Sequence, residues 1–91
     1  MGQFRKKPVV VEAVEVVAAL QAAANNWTGL PQWLRAAYDA GLIVFARDHV
    51  SIRTAEGTMM GRPGDWIIRG IAGELYPCAG PIFAATYEPV A

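Results

Sequence analysis

The sequence predicts a small α+β domain, and three observations carry that prediction. Two stretches of helical character lie between residues 16 and 41. Short apolar runs separated by glycine turns fill the second half of the chain. Within that half, Pro63-Gly64-Asp65-Trp66-Ile67-Ile68-Arg69-Gly70, continued by Gly73-Glu74-Leu75-Tyr76-Pro77, reads as two strands joined by a turn. Helices and strands segregated along a chain of 91 residues fit one domain over residues 1–91. The expected architecture is one antiparallel sheet of four to six short strands with one or two helices on one face.

Met1 to Lys7 is polar and expected to be loosely held. Val9, Val10, Val11 and Val14 carry strong β propensity, which predicts a strand over residues 8–14. Val16 to Ala24 is alanine-rich with Leu20 and Gln21, which favours helix. Asn25-Asn26 ends that helix, because short amide side chains compete for the backbone. Pro31 suits a first helical turn. Leu34, Ala37, Tyr38 and Gly41 then follow the i, i+3, i+4, i+7 spacing of an amphipathic helix. Arg35 and Asp39 sit four apart on another face, spaced to pair, and Gly41 is the stop. Leu34, Ala37 and Tyr38 are expected to cover Trp66, Ile68 and the valine strand.

Leu42 to Ala46 is a continuous apolar run and predicts a buried strand. His49 to Thr54 alternates, with one wet face expected. Glu56-Gly57 turns the chain into Thr58-Met59-Met60, and Arg62-Pro63-Gly64-Asp65 turns it again. Trp66 to Ile68 reads as a central strand, and Pro77 places the strand Glu74 to Cys78 at or near an edge. Gly80-Pro81 opens a helical turn through Ala85, and Tyr87 to Val90 is expected to form a last short strand beside the valine strand.

Eight basic residues balance eight acidic ones. Nucleic-acid binders carry a basic surplus, so direct nucleic-acid binding is not expected. Arg5-Lys6-Lys7 is the one basic run. A single cysteine, Cys78, allows no internal disulfide and suits a reducing cytoplasm. Glu12 and Glu15 interrupt the early apolar stretch, so neither a signal peptide nor a membrane span is expected. Hydrophobic residues make up 54% of the chain, more than a core of this size hides comfortably. The excess points to a surface that meets a partner or a second copy of the chain.

The reactive residues are few. His49 has Asp48 beside it, but neighbours on a strand point to opposite faces. Cys78 follows Pro77 in apolar context, without a cation to lower its pKa. One histidine and one cysteine supply too few ligands for a metal centre. Asp65 and Glu74 flank the central hairpin and are placed to face each other across it, as glycosidase carboxylates do. Each also has a structural role, Asp65 bonding turn amides and Glu74 pairing with Arg69. No catalytic residue, metal or cofactor is expected. The glycines between strands are turn formers, since a phosphate loop needs a following helix with lysine. The aromatic residues are mainly core, with a ligand-stacking platform beside Arg53, Arg62 and Arg69 as the alternative.

Two blocks of the chain resemble a widespread family of small bacteriophage and prophage proteins. One is Arg5-Lys6-Lys7-Pro8-Val9-Val10-Val11-Glu12-Ala13-Val14. The other runs Gly64-Asp65-Trp66-Ile67-Ile68-Arg69-Gly70, Gly73-Glu74-Leu75-Tyr76-Pro77-Cys78, Ile82-Phe83 and Thr86-Tyr87-Glu88. The chain departs from the family at Glu15-Val16, where relatives carry Gln-Trp, and at Ala79-Gly80-Pro81, where they carry Lys-Pro-Asp. The resemblance implies a genomic setting rather than a reaction. By analogy with small phage antagonists, it implies a non-enzymatic protein in the host cytoplasm that blocks a defence complex, as anti-CRISPR proteins do. The expected anchors are Arg47, Arg53, Arg62 and Arg69, with Trp27 and Trp33. A module that binds or sequesters a nucleotide, as a monomer or homodimer, is the second expectation.

Overall fold

The computed structural model describes residues 1–90. Strand β1 (Glu12–Glu15) runs directly into helix α1 (Val16–Asn25). A 3-10 turn (Trp27–Gly29) leads to helix α2 (Gln32–Asp39). Strands β2 (Ile43–Phe45), β3 (Val50–Thr54), β4 (Gly57–Gly61), β5 (Trp66–Arg69) and β6 (Leu75–Cys78) follow, and helix α3 (Gly80–Thr86) closes the fold. The α+β class and the six strands match the sequence reading. The strands divide into two antiparallel sheets of three, ordered β1-β5-β6 and β2-β3-β4.

The division arises at the turn after β4. Gly64 takes a φ of 96°, open to glycine at little cost, and the Arg62 N–H donates to Asp65 Oδ2 at 2.9 Å. The chain leaves β4 there and β5 pairs with β1 instead. The Asp65 carbonyl then accepts the Val16 N–H at 3.0 Å, which extends that ladder into the start of α1.

Register decides what each face carries. Val14 and Ile67 are partners, and Ile67 also pairs with Pro77, so these side chains share one face of the first sheet. That face meets α1, α2 and the inner face of the second sheet. The resulting core holds Val16, Ala19, Leu30, Leu34, Ala37, Ile43, Val50, Ile52, Ile67 and Leu75. Trp66 and Ile68 point the other way, with Tyr76 and Cys78. The expectation that α2 covers Trp66 and Ile68 is therefore corrected by one residue: Ile67 faces the helices. Trp66 is covered by α3 instead, stacked on Phe83 at 4.1 Å with the rings 9° from parallel.

Several local expectations change for identifiable reasons. The first strand starts at Glu12 rather than at residue 8, because its partner β5 is four residues long and Glu12 meets Arg69, the last of them. Residues before Val11 are exposed and carry no helix or strand. Tyr87 to Val90 forms no strand, since the segment expected to pair with it is that arm. In Leu42 to Ala46 only Ile43 is fully buried. Tyr38 is exposed and packs edge-on to Trp27 rather than on the first sheet. Arg35 does not pair with Asp39, and its Nε donates to the Leu30 carbonyl at 3.3 Å. Gly41, with φ 76°, ends α2 as expected.

Candidate interaction surfaces

The second sheet has one covered face and one bare face. Ile43, Val50 and Ile52 point into the core. On the outer face the register sets Val44, Ser51 and Met60 in one row. Leu42, Arg53 and Thr58 form the next row, held by the Arg53 N–H donating to the Leu42 carbonyl at 2.9 Å. Leu42, Val44 and Met60 are 41%, 56% and 47% exposed. A sheet face open to water normally alternates to polar side chains. Here three of six positions are large and apolar, and the one charge, Arg53, lies among them.

The predicted anchors do not converge. Arg47, Arg53, Arg62 and Arg69 are all exposed. Arg47 sits in the β2–β3 turn, and Arg62, after β4, is close enough to Asp48 to stabilise its carboxylate. Arg69 lies on β5 and shares a shallow hollow of about 270 Å³ with the half-buried Trp33, Leu42 and Leu75. Trp27 forms an aromatic cluster with Tyr38 and Phe45, at ring separations of 4.9 and 5.8 Å. Arg53 alone occupies the apolar outer face.

Three readings of the reactive groups need correction. Asp48 and His49 lie in the β2–β3 turn rather than on a strand, so their side chains do meet, Nδ1 to Oδ1 at 2.9 Å. That contact is the principal cause holding the Asp48 carboxyl below its ordinary value. Asp65 and Glu74 do not face each other. They precede β5 and β6, and in an antiparallel hairpin those positions are at opposite ends, about 17 Å apart along the strands. Glu74 does not pair with Arg69; its Oε1 accepts the Ala72 N–H at 3.3 Å inside the turn. Cys78 is half-buried on β6. Among the described residues no group of three or more His, Cys, Asp or Glu side chains converges, and no helix is long and apolar enough to cross a membrane.

A second feature escaped the sequence reading. A groove of about 390 Å³ opens between the N-terminal arm, the β5–β6 turn and the end of α3. Lys6, Lys7, Val9 and Val11 form one wall, and Gly70, Ile71 and Glu74 the turn side. Tyr76, Thr86 and Tyr87 complete it. These residues come from two segments of the chain, residues 6–11 and 70–87, that are some sixty residues apart in sequence. The Lys6 ammonium lies 5.9 Å from the centre of the Tyr87 ring, a cation–π placement.

Burial of the Tyr76 phenol, together with the neighbouring Tyr87 hydroxyl and Glu74 carboxylate, pushes its pKa up to about 12. The neutral phenol is thus favoured in the folded state. Its stabilisation is intact below pH 10, the ordinary tyrosine value, and is lost as the pH rises from 10 towards 12. An absorbance titration of tyrosinate is expected to show one late step, absent in Tyr76→Phe. A titration complete by pH 11 would contradict this.

No protein-family model, curated protein or solved structure matches the chain.

Proposed function

We propose that this chain is a non-enzymatic binding protein of phage or prophage origin. It acts in the bacterial cytoplasm by occupying a protein of a host defence system, in the manner of an anti-CRISPR inhibitor. The observation that supports binding is the open outer face of β2-β3-β4, where the exposed Val44 and Met60 lie beside Arg53, and Leu42 borders them at the edge next to α2. Apolar side chains clustered on an open sheet face mark interaction sites, and arginine is a frequent anchor. Its guanidinium among apolar neighbours fits a partner that inserts a carboxylate. The phage setting rests on the resemblance of the two end blocks.

The test is plating of a sensitive phage on defended hosts that express the protein. The wild-type chain is expected to raise plating on one defended host. Val44→Asp, which sets a carboxylate beside Arg53 without touching the core, is expected to abolish the gain, while Ile82→Asp on α3 retains it. No gain on any defended host, or an undiminished gain in Val44→Asp, overturns the proposal.

A further inference from the structure

We infer that the groove under the N-terminal arm is a binding site for a small phosphorylated aromatic ligand of nucleoside monophosphate size. None of its lining residues belongs to the bare face of the second sheet, so this inference stands apart from the protein-contact reading.

Size comes first. Small-molecule sites run from about 300 to 1,000 Å³ and are lined by apolar and aromatic groups with a few placed polar ones. At about 390 Å³ this groove lies at the lower end, which suits one ring and one phosphate rather than a dinucleotide. Its apolar walls are Val9, Val11 and Ile71.

The ring site is held in advance. Phe83 stacks flat on Trp66, and Tyr87 packs against Phe83 at 5.1 Å with a tilt of 31°. This row of three rings fixes Tyr87 at the groove, so little side-chain freedom is lost when a second ring stacks there. A half-buried aromatic beside a cation is the usual platform for a base. The Lys6 ammonium already over the Tyr87 ring marks where positive charge sits.

The anion site follows from charge. Lys6 and Lys7 outnumber the single carboxylate of the groove, Glu74, whose Oε1 is turned to the Ala72 amide. A lysine ammonium is a compact point charge that binds phosphate well. The Thr86 hydroxyl and the protonated Tyr76 phenol add neutral donors.

The experiment is calorimetry of the full chain with AMP, GMP, CMP and UMP, their 3′,5′-cyclic forms, the four free nucleosides and inorganic phosphate. At least one nucleotide is expected to bind, with its free nucleoside and phosphate alone each weaker by about tenfold or more. The double variant Lys6→Ala, Lys7→Ala lies on the exposed arm and leaves the core untouched. It is expected to lose about tenfold in affinity, as removal of a charge-assisted contact does. Glu74→Gln is expected to tighten binding. Ring-proton shifts at Tyr87 on titration would place the ligand. No heat with any nucleotide, phosphate binding as well as the nucleotides do, or affinity unchanged in the lysine double variant would overturn the inference.

Discussion

Leu34→Ala is expected to lower stability by about 3–5 kcal/mol, the largest effect of a single truncation in this chain. Leu34 is fully buried where α2 meets both sheets, in one cluster with Val16, Ile43, Ile52 and Ile67. The truncation loses transfer free energy and leaves a cavity that cannot close. Its walls are β-branched side chains, which are stiff at χ1. A domain of this size has only about 5–15 kcal/mol to lose, so the variant should be marginal or unfolded at 37 °C. Tyr38→Ala, one helical turn further on but exposed, should cost much less. Urea midpoints at constant slope would measure both, and a Leu34→Ala loss under 1 kcal/mol would mean that α2 is not part of the core.

Gly61→Val is expected to cost roughly 3 kcal/mol by the opposite mechanism, overpacking. Gly61 ends β4 at the point where the second sheet touches the first. A Cβ there would lie 2.9 Å from Val50 Cγ2, 3.3 Å from Val16 Cγ2 and 3.5 Å from Pro77 Cβ. Neither valine can yield, since both are fully buried. Three elements, α1, β3 and β6, approach so closely only because this position lacks a side chain. Met60→Ala, one residue earlier on the same strand but exposed, should stay within about 0.5 kcal/mol of the wild type. Equal effects at positions 60 and 61 would contradict the sheet junction described.

The turns and helices were legible in the sequence because their signals are local. Gly41, Gly57, Gly64 and Gly73 all adopt positive φ, and each stands where the sequence marks a stop or a turn. Asp65 bonds the turn amide that its position after Pro-Gly suggests. Pairing was less legible, because it depends on which strand finds which partner. Valine content alone extends a strand back to residue 8, and only the short length of β5 stops it at Glu12. Facing was missed at Trp66-Ile67-Ile68, where three adjacent apolar residues hide the alternation and a slip of one residue exchanges the faces.

Of the predicted anchors, all four arginines are exposed as required, but their grouping was not readable. Arg47 and Arg62 share one end of the second sheet, Arg69 shares a hollow with Trp33, and Arg53 stands alone among apolar side chains. The groove was invisible for a similar reason. Lys6, Glu74 and Tyr87 come from three distant segments, and their meeting follows from β1 pairing with β5 and α3 folding back over Trp66.

The most direct test of contact through the bare sheet face is site-specific photo-crosslinking inside a defended host. A benzophenone side chain at position 44 is expected to yield one adduct with a defence protein, lost when the defence genes are deleted. The same group at position 82, on the helix that covers the first sheet, should yield none. Adducts at position 82 but not 44, or an adduct at position 44 that persists without the defence genes, would contradict the account.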